Sequence, residues 1–245
     1  MRLGVASRMD TTHPLPTRGL AVVFGASGAI GGALVSRLRA DPRFADVLAF
    51  ARSGDPAVDV TEEVGVAAAT AAIQATGLEP RLVVVATGFL HGDGQQPEKT
   101  WRHLDADALA RSFAVNAIGP ALVMKHVLPL LPRDGRSAFA VLSARAASIG
   151  ENRIGGWYGY RASKAALNQL VRSAAAELGR RSKEAVCVAL HPGHVESALS
   201  APFGAGGNRS YAPDEAAANL LAVLDGLAPT DTGGFFDETG AAIGW

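Results

Sequence analysis

Short apolar runs rich in Val, Leu and Ala alternate along the chain with longer segments of helical period. The five runs are residues 20–24, 47–50, 82–86, 138–142 and 186–190. They are continuous rather than alternating in polarity, which is typical of parallel strands covered on both faces. The segments between them include three predicted helices, over residues 30–39, 105–131 and 158–180. This alternation predicts an α/β fold, a single-domain doubly wound parallel sheet with helices on both faces.

The chain shows no internal repeat and no linker that would divide it. We therefore predict one domain over residues 20–245, preceded by a loose N-terminal arm over residues 1–19. The arm lacks the apolar run of a secretory signal. The chain contains no uninterrupted run of 18 apolar residues, so we predict no membrane-spanning helix. Residues 198–210 contain Pro202 and several glycines without any period. They are predicted to form a loop or lid.

Composition narrows the possible partners. Basic and acidic residues number 23 each, so the net charge is zero and gives no electrostatic reason to expect nucleic acid or an anionic membrane as a partner. With 48% hydrophobic and 19% charged residues, the chain can bury a sizeable core and is not predicted to be disordered. A single cysteine, Cys187, cannot form an internal disulfide. It fits a reducing compartment, so we expect a cytoplasmic protein.

A glycine-rich turn follows the first predicted strand and leads directly into a helix. It runs from Gly25 to Gly32 as G-A-S-G-A-I-G-G. Glycine permits positive φ and a close approach of backbone to ligand, and helix-start amides suit a pyrophosphate. The pattern is weak by itself, but its position between strand and helix is that of a Rossmann-type dinucleotide site. A tight turn that binds no ligand is the alternative.

The second predicted strand ends in Phe50-Ala51-Arg52-Ser53. A dinucleotide fold often has an acidic residue here for a ribose 2′-hydroxyl, and this chain has none. Arg52 and Ser53 could instead hold a 2′-phosphate through charge-assisted hydrogen bonds, which favours NADP(H) over NAD(H). Asp55 weakens that preference, and a solvated strand-end arginine is the alternative.

A tyrosine and a lysine lie four residues apart at the start of the third predicted helix. Tyr160 and Lys164 therefore share one helical face. A free phenol has a pKa near 10 and exchanges protons poorly at neutral pH. A neighbouring ammonium is expected to lower that pKa toward the working range. A surface pair without a role is the alternative.

These motifs, with the segment His191-Pro-Gly-His-Val-Glu-Ser197, resemble the short-chain dehydrogenase/reductase family from about residue 20 onward. Within this family, the chain resembles the C-factor-like branch, whose members are often described as cell–cell signalling proteins. It is carried there by residues 86–91, Pro97-Glu98-Lys99, residues 157–164 and the ending from Gly234 to Trp245.

The resemblance implies roles for individual residues. Asn116 matches an asparagine that holds a water linking the lysine to solvent, with a buried, fully bonded asparagine as the alternative. A dimer or tetramer is also implied. The glycine turn, the arginine–serine pair and the resemblance together predict a cofactor site comprising Gly25, Ser27, Gly28, Ala29, Ile30, Gly31, Arg52, Ser53, Asp59, Val60, Ala86, Thr87, Gly88, Tyr160, Lys164, Pro192, Gly193, Val195 and Ser197.

Three positions depart from the family pattern. Ala29 replaces a glycine of the turn, and Val85-Ala-Thr-Gly88 replaces Asn-Asn-Ala-Gly after the fourth strand of the family fold. The family's catalytic serine aligns with Ala144, so its hydroxyl must come from Ser143 or Ser148, or be absent. Ser143 is our candidate, because it follows a strand end, where such sites lie.

The predicted function is hydride transfer between NADP(H) and a small carbonyl or alcohol substrate, with Tyr160 as general acid/base and Lys164 beside it. The predicted catalytic set is Asn116, Ser143, Tyr160 and Lys164. A catalytically weak dinucleotide-binding regulator is the alternative. We predict no metal site, since His191 and His194 are separated by Pro-Gly and have no evident third ligand.

Overall fold

The computed structural model describes residues 15–204, 206–207 and 209–245. Six strands form one sheet in the order β2-β1-β3-β4-β5-β8, and every pairing is parallel. This confirms the predicted doubly wound sheet. The strands are β1 (Gly19–Phe24), β2 (Phe44–Phe50), β3 (Pro80–Val85), β4 (Ser137–Leu142), β5 (Ala185–Leu190) and β8 (Phe235–Phe236). A second, two-stranded sheet pairs β6 (His194–Val195) with β7 (Ser210–Tyr211).

Helices cover both faces of the large sheet. They are α1 (Ala29–Arg39), α2 (Glu63–Ala75), α3 (Ala106–Phe113), α4 (Gly119–Val127), α5 (Tyr158–Arg181) and α6 (Pro213–Gly226). Alternate side chains of β4 separate the two cores. Phe139 packs on the side of α2, α4 and α5, whereas Ala140 packs on the side of α1 and α6. Strands β1, β4 and β5 are buried on both faces, which explains their continuous apolar runs, whereas the edge strand β2 has exposed residues at Ala45 and Asp46.

The predicted helix over residues 105–131 is one helical run with an interruption. A π turn at Ala114–Ile118 separates α3 from α4, and a 3₁₀ turn follows α4. The stretch Ala106–Leu130 is long and apolar enough to cross a bilayer by length and composition, although it contains no uninterrupted apolar run of 18 residues. In the fold, however, α3 packs against α5, and α4 packs against α2 and α5. The stretch is therefore a core helix that covers the sheet.

Two predicted irregular segments lie partly outside the described residues. Of the arm over residues 1–19, residues 1–14 are not described, Leu15 is buried in the core and Gly19 already belongs to β1. In the loop over residues 198–210, the described residues form turns and bends until β7 begins at Ser210.

The sheet topology fixes where a ligand can bind. From β1 the chain crosses through α1 on one face to β2. From β3 it crosses through α3 and α4 on the opposite face to β4. Because β1 and β3 are neighbours, their following loops diverge and leave a crevice at the carboxyl ends of the strands.

Candidate active site

The glycine turn lies between β1 and α1 and is packed tightly against its neighbours. Gly25 has φ +82°, and a Cβ there would lie 2.9 Å from the carbonyl carbon of Ala86. A Cβ on Gly31 would lie 2.2 Å from the Gly25 carbonyl oxygen. Helix α1 begins at Ala29 without a side-chain cap, which leaves first-turn amides for an anionic ligand. The turn therefore forms a backbone cradle that side chains would fill.

A cleft of about 400 Å³ opens at the carboxyl ends of β1, β2 and β3. Its lining includes residues from the glycine turn, from the end of β2 and from the loop after β3. The predicted cofactor residues that line it are Gly25, Ser27, Gly28, Arg52, Asp59, Val60, Ala86, Thr87 and Gly88. The hydroxyl of Thr87 is buried and has no hydrogen-bond partner among the described residues. The shape and this free hydroxyl fit a bound dinucleotide.

Arg52 and Asp59 both line this cleft. Burial pushes the pKa of Asp59 upward, but hydrogen bonds from Thr61 and the charge of Arg52 outweigh it and leave that pKa below its usual value. The Asp59 carboxylate accepts from the Thr61 amide at 2.9 Å and from its hydroxyl at 2.7 Å. Asp59 is thus held by Thr61, while Arg52 is exposed to solvent.

Sequence reasoning missed part of the cleft wall. Arg111 reaches the cleft from α3, with its guanidinium 4.4 Å from the centre of the Phe89 ring. No motif marks it, because the rotation of α3 about its axis decides which side chain faces the cleft. The missed lining residues are Ala51, Val58, Thr61, Arg111, Ala114 and Val115.

The remaining predicted cofactor residues do not line the cleft. Ile30, at the start of α1, packs on a small cluster that contains Val195 and Tyr211. Gly193 has φ +77°, and a Cβ there would lie 2.8 Å from the Tyr211 ring. The start of α1 and the segment after β5 therefore contact each other. Two segments predicted to bind the cofactor, the glycine turn and residues 191–197, are neighbours in the fold. The other residues in this group are Ala29, Gly31, Ser53, Pro192 and Ser197, together with Tyr160 and Lys164.

The tyrosine–lysine pair lies in the first two turns of α5. Lys164 is only 2% exposed, and its ammonium donates to the Leu142 carbonyl at the end of β4, at 2.7 Å. A Cβ on Gly88 would lie 3.6 Å from the Lys164 nitrogen. Gly88 lines the cleft, so the Lys164 ammonium lies at its border, and Tyr160 lies one helical turn from Lys164. The fold thus brings together Gly88 and Lys164, which are 76 positions apart in the sequence.

Burial controls the titration of both groups. It raises the pKa of Tyr160 to about 12 and lowers the pKa of Lys164 to about 7. The shift for Tyr160 is opposite to the one predicted from the sequence. The physical reason is that withdrawal from water disfavours the phenolate as well as the ammonium. At neutral pH, Tyr160 is therefore a protonated phenol able to donate a proton.

Asn116 lies in the π turn between α3 and α4. Its side-chain oxygen accepts from the Phe89 amide at 2.8 Å, and its nitrogen donates to the Phe89 carbonyl at 2.8 Å and to Ser163 Oγ at 3.0 Å. Ser163 in turn donates to the Tyr160 carbonyl. The side chain of Asn116 is thus buried and fully bonded, the alternative left open above, and it ties the loop after β3 to α5. A water-holding role stays a prediction.

The three positions considered for the catalytic hydroxyl follow β4. Ser143 is buried, and its hydroxyl donates to Asn168 Oδ1 at 2.7 Å. Asn168 lies eight residues after Tyr160, about 12 Å along the helix axis. Ser148 is also buried, and its hydroxyl accepts from the Glu151 amide at 3.3 Å. Ser143 therefore faces the same side of α5 as Lys164, but its proton is directed toward Asn168.

A chain of aromatic contacts begins at Tyr160. The Trp157 ring packs edge-on against Tyr160, with centroids 6.1 Å apart, and against Phe203 at 5.1 Å. His91 contacts Phe203 at 5.4 Å, and its ring nitrogen bonds the Leu199 carbonyl. Phe203, in the loop after β6, is thereby connected to Tyr160 through the Trp157 ring. The rings of His91, Trp157 and Phe203 form an aromatic wall next to Tyr160.

Comparison with known proteins identifies relatives over most of the chain. Residues 31–221 match the family model described as Enoyl-(Acyl carrier protein) reductase. The 1-hydroxy-2-glutathionyl-2-methyl-3-butene dehydrogenase of Rhodococcus sp. (strain AD45) is 33% identical over 82% of this chain and 84% of its own length. The C-signal protein of Myxococcus xanthus is 37% identical over 58% of this chain and 81% of its own length.

Solved structures share the fold. The NADPH-bound carbonyl reductase from chicken fatty liver aligns with a TM-score of 0.76 at 24% identity, over 94% of this chain and 100% of that one. A short-chain dehydrogenase/reductase from Burkholderia multivorans with bound NADP aligns with a TM-score of 0.76 at 25% identity, over 93% of this chain and 100% of that one.

Proposed function

We propose that this chain, which belongs to the short-chain dehydrogenase/reductase family, is an NADP(H)-dependent carbonyl reductase or alcohol dehydrogenase with Tyr160 as its general acid/base. The observation that carries the proposal is the meeting of cleft and helix at Gly88. There the lining of the cleft comes within 3.6 Å, measured from a built Cβ, of the Lys164 nitrogen. Lys164 thus borders the cleft, and the proposed proton donor, Tyr160, lies one turn before it on the same helix.

The residues present fit a nicotinamide dinucleotide. The cradle at Gly25 and Gly31 would receive its phosphates, and the free hydroxyl of Thr87 offers a hydrogen bond inside the cleft. Bound NADP(H) would supply or accept the hydride. The carbonyl reductase and dehydrogenase relatives described above support this assignment.

The chain's own residues handle the proton. With a pKa raised to about 12, the Tyr160 hydroxyl is protonated and can donate to the oxygen of a carbonyl substrate. Lys164 lies one turn away, where its ammonium can stabilise the phenolate as that proton leaves. In the oxidative direction, the phenolate takes the proton from an alcohol. The aromatic wall formed by His91, Trp157 and Phe203 favours a substrate with an apolar or aromatic body.

A panel of ketones and aldehydes, followed by the loss of NADPH absorbance, tests the proposal. We expect turnover with at least one aromatic member of the panel. A dinucleotide-binding regulator with little turnover is the second candidate, and Ala144 favours it because that position carries no hydroxyl. NADPH binding by fluorescence without any turnover across the panel would support the regulator instead.

Cofactor preference is tested with Arg52→Ala. If its guanidinium holds a 2′-phosphate, losing a charge-assisted hydrogen bond raises the Kd for NADPH about tenfold or more and leaves that for NADH nearly unchanged. Arg153→Ala, which removes another exposed arginine outside the cleft, serves as the control. An equal change for both nucleotides in Arg52→Ala would show that Arg52 does not discriminate between them.

The catalytic hydroxyl is tested with Ser143→Ala. We expect kcat to fall about tenfold, less than the 10²-fold or more typical of a preformed donor, because the Ser143 hydroxyl must first leave Asn168. The double variant Ser143→Ala, Ala144→Ser places the hydroxyl at the family position and should recover that loss. An unchanged kcat in Ser143→Ala would show that the reaction does not use this hydroxyl.

A further inference from the structure

Helix α5 begins in an unusual way. The residue before it, Trp157, has the left-handed φ of +52° and provides no side-chain cap. The first amides of the helix are bound instead by Glu98, from the Pro97-Glu98-Lys99 motif. Its two carboxylate oxygens lie 3.2 and 3.1 Å from the Gly159 amide, and its carbonyl accepts from the Trp157 amide at 2.6 Å. One residue from a distant loop therefore holds the start of the helix that carries Tyr160.

The contact between Glu98 and Gly159 is closely fitted. Glu98 is only 5% exposed, and a buried carboxylate is costly unless hydrogen-bonded donors compensate it. The positive end of the α5 dipole supplies part of that compensation. A Cβ on Gly159 would lie 2.9 Å from a Glu98 carboxylate oxygen and 3.1 Å from Ser112 Oγ. The glycine is thus what allows the carboxylate to approach.

The other contacts that hold this helix act further along it. The Arg161 guanidinium donates to the Gly156 and Ala146 carbonyls, and Ser163 is bound by Asn116. Glu98 acts at Trp157 and Gly159, the residues that precede and flank Tyr160. Since the Trp157 ring packs on Tyr160, the same contact sets the position of the aromatic wall.

We propose that Glu98 is the positioning residue of the active site, because its carboxylate fixes the first turn of α5 and so places the Tyr160 hydroxyl and the Trp157 ring relative to the cleft. The part of this proposal in which Glu98 positions Tyr160 as a proton donor rests on the proposed function. The helix contact itself does not, and it can be measured without any substrate. Glu98 does not line the cleft, so its loss should spare nucleotide binding.

The test compares Glu98→Ala with Glu98→Gln. In Glu98→Ala, hydrogen exchange of the amides at residues 158–160 should accelerate about tenfold or more, since the loss of a cap releases the first turn. At a temperature well below Tm, kcat should fall about tenfold, while the KM for NADPH stays within about twofold. Glu98→Gln keeps an oxygen acceptor for the Gly159 amide and should restore both values to within about threefold of wild type.

Two further variants keep the test decisive. In Gly159→Ala, the added Cβ displaces the Glu98 carboxylate from the helix side of the contact. This variant should show the same faster exchange, lower kcat and unchanged KM for NADPH as Glu98→Ala, and it keeps the test available if Glu98→Ala folds poorly. Asp105→Ala is the matched control: the Asp105 carboxylate accepts from the Ala108 amide at the start of α3, at 2.9 Å, so its loss should accelerate exchange only there.

The outcomes separate the two proposals. Unchanged exchange at residues 158–160 in Glu98→Ala, or accelerated exchange with an unchanged kcat, would overturn the positioning role. If Tyr160→Phe keeps full turnover, the proposed function fails, and the exchange data still show whether Glu98 holds the helix. A tenfold loss of kcat in Glu98→Ala without rescue by Glu98→Gln would also overturn the proposal, because the acceptor would then not be the feature that matters.

Discussion

We expect Tyr160→Phe to lower kcat for carbonyl reduction by about 10²- to 10⁴-fold, the range that general acid catalysis contributes. The Kd for NADPH should stay within about twofold. The substitution removes one hydroxyl and keeps the ring, which packs against Trp157. The packing of the first turn of α5 is therefore preserved, and the loss reports on the proton rather than on the fold.

The protonation state of Tyr160 predicts how the rates of reduction and oxidation depend on pH. Because burial raises the pKa of Tyr160 to about 12, the phenol stays protonated across the neutral range. It is then in the form that reduction requires. Oxidation of an alcohol requires the phenolate, so the oxidative rate of the wild-type protein should rise as pH increases. The Tyr160→Phe variant should have a much lower oxidative rate, and that rate should not increase with pH.

The control for this prediction lies two residues earlier on the same helix. Tyr158→Phe removes a hydroxyl from the same turn of α5 without touching the proposed proton donor. We expect its kcat to stay within about threefold of wild type. Near wild-type reduction by Tyr160→Phe, with Tyr158→Phe unchanged, would contradict the proposed mechanism.

The sheet could be predicted from the sequence because its strands are buried on both faces. The predicted start of α5 at residue 158 is confirmed, and that of α1 differs from the structure by one residue. The π turn at Ala114–Ile118 could not be predicted, since it follows from the tertiary bonds of Asn116 rather than from a local residue pattern. The three predicted helices do not include α2 and α6, and in α2 the run of alanines gives only a weak period.

The site shows the same division. Glycine spacing and the tyrosine–lysine pair identify residues whose chemistry is local; Gly25 and Gly28 line the cleft, and Lys164 lies at its border beside Gly88. The contribution of Arg111 depends on how α3 is turned, and the role of Glu98 depends on a contact between residues 61 positions apart. The pKa of Tyr160 was predicted in the wrong direction because the sequence shows a neighbour but not the depth of burial. The cytoplasmic location and the homo-oligomeric state stay predictions.

Lys164→Met should lower activity, but it should also remove the destabilising effect of a buried ammonium on the folded protein. We expect kcat to fall at least about 10²-fold, since the ammonium that stabilises the Tyr160 phenolate is lost. For stability, the relevant quantity is the change in the pKa of Lys164 on folding. Burial lowers that pKa from 10.5 in the unfolded chain to about 7 in the folded protein. Between these two values, the unfolded chain holds one more proton than the folded protein.

The free energy of unfolding of the wild-type protein should therefore increase with pH between about 7 and 10, relative to Lys164→Met, by up to about 1.4 kcal/mol per pH unit. Below pH 7 both states are protonated, and the difference between the two proteins should be constant. Urea unfolding of each protein without added nucleotide, at pH 6, 7, 8 and 9, measures this difference. Lys183→Met removes an exposed lysine and should give a curve parallel to wild type. If Lys164→Met also runs parallel to wild type above pH 7, its ammonium is not destabilised by burial, and a solvated Lys164 would then have to assist Tyr160.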